Sequence, residues 1–381
     1  MKILGIETSC DETAVAVLEV TLRQAWGEEI TVLSNVISSQ VKLHAKYGGV
    51  VPNLAAREHV KNIEHVFKCS LKTAGIKDFN KEIGLIAVTR GPGLGPSLLI
   101  GIAFARTLAW KYDKQLAGIN HLEGHIYSNW LSPVRVSSKS QFLISKNNVF
   151  PVLNLIVSGG HTELVLMQRH GKYEIIGEML DDAVGEAFDK VARLLGLGYP
   201  GGPAISRQAE KWKTQNTGTK AQIKHKAQST NIKFPRPMIN QKNYNFSYSG
   251  LKTAVLYKVR DMKNSGVKIT DNIVNEICYE FQNAALDVLV YKTVKAAQEY
   301  KVKSLFLSGG VSANKELRKR LATEAKRLEI KYSQPEMEYT TDNAAMIAVA
   351  GYFKVQTNPP AGGEKVKTDW ESVEMDANLG F

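Results

Sequence analysis

Apolar and polar positions along the chain switch between two spacings, and the switches mark its elements. Ile3-Leu4-Gly5-Ile6 is a short apolar run closed by Glu7 and Thr8, the pattern of a buried strand. After the polar turn Ser9-Cys10-Asp11-Glu12, the run Ala14-Val15-Ala16-Val17-Leu18 resumes it, so the two segments predict a β-hairpin. The same device returns in mid-chain as Val152 to Val157, then Ser158-Gly159-Gly160-His161-Thr162, then Leu164 to Met167. With the turns aligned, Ser9 falls opposite Ser158 and Thr13 opposite Thr162. Two long halves that open alike predict a duplicated domain.

Helical spacing fills the intervals. Pro52 suits a first turn, Leu54, Ile63, Val66, Phe67 and Leu71 form an apolar face, and Gly75 ends it. A buried-type strand at Leu85–Thr89 leads through Gly91-Pro-Gly-Leu-Gly-Pro-Ser97 into a helix reaching Tyr112. Asp182 is placed to cap a helix running to Leu195, Asp271 opens a long helix to Tyr300, and Ser304–Leu307 is a further strand before Ser308-Gly309-Gly310. Strands alternating with helices predict an α/β architecture with covered sheets. Beyond Thr357 the chain turns polar and rich in Pro and Gly, which predicts a weakly specified tail.

Length and charge narrow the function. A chain of 381 residues suits two domains. Three separated cysteines, Cys10, Cys69 and Cys278, argue against a disulfide framework and for a reducing, cytoplasmic setting. No apolar stretch is long enough to span a membrane. The net charge of +12 favours capture of polyanions, although a basic surface also serves plain solubility. Lys211, Lys213, Lys220, Lys224, Lys226, Lys233 and Arg236 fall in one stretch without an acid, and Arg135, Lys139 and Lys146 in another between Ser132 and Asn148. Both read as surface insertions, either phosphate contacts or idle loops.

His121 and His125 carry the sharpest chemistry. Four residues apart on a helix, they project from one face and offer two nitrogen ligands to a divalent metal. Asp342 stands at the start of the apolar helix that begins at Ala344, where a carboxylate either caps the helix or reaches into a cleft. Glu123 lies about 200° around the helix from each histidine, so the zinc-protease arrangement of H-E-x-x-H is not met. The turns Ser158-Gly159-Gly160 and Ser308-Gly309-Gly310 each follow a strand, and small residues there let backbone N–H groups approach a phosphate or ribose. The Gly91–Ser97 turn lacks a lysine and reads first as structural. No P-loop signature occurs.

In order along the chain, GIETSCDET, SQVKLHAKYGGVVPNLAAREH from Ser39, GPGLGPSLLIG from Gly91, NHLEGH from Asn120, VSGGHTEL from Val157, DDAVGEAFDKVARLLGLGYPGGPAI from Asp181, FPRPM from Phe234, FSYSGLKTAV from Phe246, SGGVSAN from Ser308 and TDNAAMIA from Thr341 resemble the TsaD family of tRNA N6-adenosine threonylcarbamoyltransferases, in its bacterial or mitochondrial-type branch. The resemblance implies the duplicated actin-like, sugar-kinase and heat-shock-chaperone ATPase (ASKHA) fold, an α/β architecture of two lobes around a central cleft. The lobes would be 1–130 and 151–344, with a helix at 345–357 packing back on the first and a tail at 358–381. It implies one divalent ion, iron or zinc, on His121, His125 and Asp342. It further implies threonylcarbamoyl-adenylate on Ile156, Val157, Ser158, Gly159, Gly160, Asp189, Gly202 and Asn314.

Asp11 and Glu12 are candidates for orienting or deprotonating the attacking amine, and His161, at the place of Glu12 in the second turn, for touching substrate. The implied partners are tRNA, a dimerising TsaB-like paralogue and a small TsaE-like ATPase. Two departures from the family stand out: Gly95-Pro96 replaces a small or branched apolar residue, and the two basic stretches are long. Competing classes are a metalloprotease, a kinase or chaperone-like ATPase on the same fold, and a binding subunit without turnover.

Overall fold

The computed structural model describes residues 1–23, 27–131, 149–216, 232–357 and 370–381. Two five-stranded sheets organise them. In the first, β1 (Lys2–Glu7), β2 (Glu12–Arg23), β3 (Gly27–Ser39), β4 (Ile83–Gly91) and β5 (Gln115–Asn120) lie in the order β3-β2-β1-β4-β5. In the second, β6 (Val152–Val157), β7 (Thr162–Arg169), β8 (Lys172–Gly177), β9 (Ser304–Ser308) and β10 (Lys331–Ser333) lie in the order β10-β9-β6-β7-β8. β1 pairs antiparallel with β2 and parallel with β4, as β6 does with β7 and β9. Glu7 faces Ala14 and Ile156 faces Glu163, which is one register when Ser9 is laid on Ser158. The duplication read from the two hairpins thus extends through both sheets. The architecture is the two-lobed α/β fold of the actin-like class.

Alternation explains how the first sheet is covered on both faces. Leu4, Ile6, Val15, Val17, Ile86 and Val88 pack on one side with Ile63 and Val66 of the helix Pro52–Ala74 and Leu98 and Ile102 of the helix Gly95–Tyr112. Ile3, Ala14, Ala16, Leu18, Leu85 and Ala87 pack on the other with the apolar helix Ala344–Thr357. Glycine sets that second distance. A Cβ on Gly5 would lie 2.1 Å from the Ala344 carbonyl oxygen, and one on Gly351 2.6 Å from Ala87 Cβ. The same apolar cluster takes in Val152, Ile156, Val165 and Phe306 of the second sheet, so the lobes share one interior. The second lobe builds its own core around the helix Asp271–Glu299.

Helix ends follow their local chemistry, with one exception. The helix Pro52–Ala74 begins with proline and ends at Gly75 in the left-handed region (φ 74°). The helix Val184–Leu194, however, is not capped by Asp182. Its N-cap is Ala183, the Thr162 hydroxyl accepts the Val184 N–H at 2.9 Å, and Asp182 instead pairs with Lys190 and Lys252. Two ammonium groups outcompete one backbone donor for the carboxylate.

Beyond the last long helix, residues 370–381 lie on the first lobe: Val373 is buried, the Asp376 N–H donates to the Arg90 carbonyl, and the Gly93 N–H to that of Ala377. Residues 132–148, 217–231 and 358–369, which include most of both basic stretches, lie outside the described residues. Lys213, at the edge of one, is held by Glu316 at 2.9 Å. No helix among the described residues is long and apolar enough to cross a membrane.

Candidate metal and nucleotide site

β5 ends at Asn120, whose side chain accepts the Leu122 N–H at 2.8 Å and starts the seven-residue helix His121–Tyr127 at the sheet edge. One turn of helix brings His121 and His125 together, with ring centroids 4.7 Å apart. From the far end of the chain, Asp342 reaches the same point. Its Oδ1 lies 3.4 Å from His121 Nε2 and 3.2 Å from His125 Nε2. Asn343 does the capping instead, accepting the Met346 N–H at 3.0 Å. Of the two roles open to Asp342, the structure selects the cleft.

The donor set suits a divalent cation: two imidazoles and a carboxylate offer atoms all within 4.8 Å of one another. Both ring nitrogens of His125 are buried without a hydrogen-bond partner among the described residues; its Nε2 is near Asp342 but not aligned as a donor. Such orphaned nitrogens are costly in a protein interior unless something binds them. Burial opposes charge on Asp342, yet the two imidazoles hold its carboxyl far below the ordinary range. Burial likewise disfavours protonated His121, but Asp342 and Glu7 outweigh it and raise its pKa. Glu123 points elsewhere, lining a separate cavity of about 70 Å³ with Tyr127, Tyr173 and Lys354.

The acidic turn borders this point. Asp11 is buried and its Oδ2 has no hydrogen-bond partner among the described residues. Burial, with Asp342 and Asp11 close by, pushes the Glu12 carboxyl up to about 9. His59, which ends the segment from Ser39 but carries no assigned role in the sequence, supports the turn from beneath through Thr13 Oγ1 at 2.7 Å and the Cys10 carbonyl at 3.0 Å. Leu94 donates to the Ser9 carbonyl, and a Cβ on Gly93 would strike that oxygen at 2.7 Å. The Gly91–Ser97 turn is therefore a structural buttress.

Across the cleft stands the second turn. His161 is near enough to the triad that burial together with His121 and His125 pushes its pKa down to about 4. Ser158 N–H donates to the His161 carbonyl at 2.9 Å, and Ser158 Oγ accepts the Gly160 and His161 N–H groups at 3.3 and 3.0 Å. The turn is thus partly self-satisfied, leaving Gly159 N–H as its free donor among the described residues. Ile156 and Val157 are buried and form the strand beneath.

Its glycines fall into two kinds. A Cβ on Gly159, Gly160, Gly202 or Gly310 would meet nothing within 4 Å, whereas one on Gly185 would strike the Ser158 carbonyl at 2.4 Å and one on Gly309 (φ +86°) the Val157 carbonyl at 2.4 Å. The first kind leaves bare backbone facing open space; the second holds the fold.

Asp189 accepts the Gly201 N–H at 2.7 Å and so caps the helix that carries Gly202. Asn314 caps the helix Lys315–Arg327 through Leu317 N–H and donates to Ser206 Oγ and Gln282 Oε1. Ser206 and Gln282 were not legible from motif spacing. Neither was Tyr199, whose hydroxyl pKa is raised by burial and by Asp11 and Asp189 on the two sides. Asn129, just past the helix His121–Tyr127, donates to Ser308 Oγ at 2.9 Å and ties that helix to the Ser308–Gly310 turn.

The model of the family TsaD, tRNA N6-adenosine threonylcarbamoyltransferase, matches residues 31–349. Proteins of that name from Thermosipho africanus and Thermosipho melanesiensis are 44% and 47% identical over 92% of this chain and 94% of theirs. The one from Bacillus subtilis is 45% identical over 92% of this chain and 90% of its own. Among solved structures, full-length HypF in its phosphate- and nucleotide-bound form superposes over 95% of this chain and 47% of its own, with a TM-score of 0.54 at 13% identity. The chain spans about half the length of HypF, and that likeness concerns the fold alone. Matched over most of its length by the family and its curated members, the chain belongs to the TsaD family of transferases.

Proposed function

We propose that this chain transfers the threonylcarbamoyl group from threonylcarbamoyl-adenylate to N6 of the adenosine beside the tRNA anticodon, position 37, releasing AMP. The amine nitrogen forms a bond to the carbamoyl carbon, the bond to the adenylate oxygen breaks, AMP leaves with its electron pair, and the amine gives up a proton. The observation that carries this reading is the meeting of His121, His125 and Asp342 between the lobes, opposite glycines whose backbone faces open space.

His121, His125 and Asp342 would hold one divalent ion, iron or zinc, which would supply Lewis acidity toward the acyl group when bound. Gly159 N–H, and Gly160 N–H once released from its long bond to Ser158, donate to the phosphate or the developing oxyanion. Ile156 and Val157 hold that turn in place. Asp189, Gly202 and Asn314 border the nucleoside. Asp11 and Glu12 orient the amine, with the unpartnered Oδ2 of Asp11 as the acceptor for its proton, and His161, neutral at physiological pH, contacts the acyl group without repelling a cation.

tRNA is the acceptor, read in the cytosol with a TsaB-like paralogue and a TsaE-like ATPase as partners. The first lobe carries a surface that suits the paralogue: Leu99 and Trp110 on the helix Gly95–Tyr112, and Val60 on its neighbour, are 51%, 67% and 59% exposed.

The test incubates the protein and those partners with threonylcarbamoyl-adenylate and unmodified tRNA, followed by nucleoside analysis. N6-threonylcarbamoyladenosine is the expected product. ATP turnover by this chain alone, without its partners and regardless of tRNA, with no modified nucleoside in the full mixture, would replace this reading with that of a kinase-like enzyme.

A further inference from the structure

Glu7 is a fully buried carboxylate at the end of an apolar strand. It is not solvated and pairs with no lysine or arginine among the described residues. Its Oε1 accepts the Ser9 N–H, and its Oε2 accepts the Thr89 hydroxyl and lies 3.2 Å from His121 Nδ1, a nitrogen that Ser9 Oγ also approaches at 3.2 Å. The other ring nitrogen of His121, Nε2, faces Asp342. Two anchors therefore fix the carboxylate, and the carboxylate in turn grips the back of one imidazole. His125 has no such support, since its Nδ1 is without a partner among the described residues.

The duplicated lobe supplies an internal control. In the common register the place of Glu7 is taken by Ile156, also fully buried. The strand and hairpin form equally well with an aliphatic side chain there. A buried charge that the fold can do without, and that is costly to desolvate, requires a different cause. We infer that Glu7 is a positioning residue for the metal site. It accepts a hydrogen bond from His121 Nδ1–H, which fixes the ring's rotation and leaves Nε2 as the ligand atom beside Asp342 and His125.

This inference rests on the reading that the triad binds a divalent ion, and the chemistry of the substitution separates the two. In Glu7→Gln the amide oxygen can stay on Ser9 N–H, but its NH2 then meets Thr89 and His121. Thr89 can accept it. His121 can do so only by surrendering the proton on Nδ1, and Ser9→Ala in the same background removes the hydroxyl that could otherwise keep it there. The glutamine variant therefore stays satisfied and folded while the proton moves to the nitrogen that should bind metal. Glu7→Asp keeps the charge but withdraws the carboxylate by one methylene, so it tests the hydrogen bond apart from electrostatic attraction.

Zn2+ affinity of the full chain is measured by competition with a chromophoric chelator, and 15N-resolved histidine spectra are recorded with and without Zn2+. The unmodified protein should show a slowly exchanging His121 Nδ1–H signal in both states. Glu7→Gln should bind Zn2+ about 10–100-fold more weakly, at an unchanged melting temperature without metal, and should lose that signal when it is combined with Ser9→Ala. Glu7→Asp should also bind more weakly, and this result stands on its own if the glutamine variant fails to fold. Zn2+ affinity within twofold of the unmodified protein in either folded variant, or a retained Nδ1–H signal in Glu7→Gln combined with Ser9→Ala, overturns the inference. An unmodified protein that binds no divalent ion sinks the metal reading, while the Nδ1–H signal still decides the hydrogen bond.

Discussion

The turn between β1 and β2 carries Glu7, Asp11 and Glu12, while the turn between β6 and β7 puts Ile156, Gly160 and His161 at the same register positions. The strands on either side pair alike, so the backbone demands neither the acids of one turn nor the glycine of the other. What differs is the charge each turn tolerates. The first places carboxylates about a group of metal-ligand type, and a cation there relieves their mutual repulsion. The second offers bare backbone and an imidazole whose pKa, pushed down to about 4, leaves it uncharged at physiological pH. On the proposed function, one copy of the fold faces the cation and the other is the side that the acyl phosphate approaches.

The largest effect should come from the cation side. Asp342→Asn and His125→Ala each remove a ligand atom from a set of three, and both should bring bound metal close to zero. Transfer should fall with it, by about a thousandfold if electrophilic assistance is lost outright. Metal analysis and single-turnover transfer on the same preparations check this. Stoichiometric metal in both variants would show that the three side chains meet for another reason.

On the anion side the contrast lies between two glycines. Gly160→Ala adds a methyl group into open space, so stability should hold within about 0.5 kcal/mol while adenylate affinity falls about tenfold or more. Gly309→Ala forces a left-handed φ and a 2.4 Å approach to the Val157 carbonyl oxygen, and should cost about 1–3 kcal/mol of stability. Thermal unfolding and nucleotide titration of the pair separate them. Reversed results would mean that the bare turn is structural.

Much of this was legible in the sequence. The hairpin repeat survives in the chain because burial fixes alternation at each strand, and the i, i+4 histidines announce themselves because a helix has only one repeat. Asp342 was ambiguous for a local reason: a carboxylate at a helix start looks the same whether it caps or turns away, and only the presence of Asn343 as the actual cap decides it. Asp182 misled for the converse reason, since Lys190 and Lys252 that claim it lie 8 and 70 positions away. Glu7, Ser206, Gln282 and Tyr199 act through partners distant in the chain. Of these, Glu7 closes an apolar strand and Tyr199 lies within the segment from Asp181, but nothing local to either marks its role.

Proton competition sharpens the cation side further. His121 is held in its protonated form more strongly than an ordinary histidine because Asp342 and Glu7 outweigh the effect of burial. A metal must displace that proton, so Zn2+ affinity should rise with pH through neutrality, by about tenfold per unit for one proton released. Competition titrations from pH 6 to 8, with proton release read in buffers of different ionisation enthalpy, measure both quantities. A flat profile would mean that the imidazole is already neutral when metal arrives.

The smallest effect concerns charge outside both turns. Lys220, Lys224 and Lys226 belong to a stretch, Lys211 to Arg236, that carries no acid. Lysine presents tRNA with a mobile point charge, which suits phosphate oxygens and carries little information about base edges. Replacing all three by Gln should therefore leave transfer at low salt almost unchanged. The slope of log affinity against log salt should flatten by about one unit for each phosphate that is no longer neutralised. Binding isotherms for unmodified tRNA between about 50 and 200 mM salt resolve that change. An unaltered slope would place tRNA recognition elsewhere on the two lobes and make the insertion a passive loop.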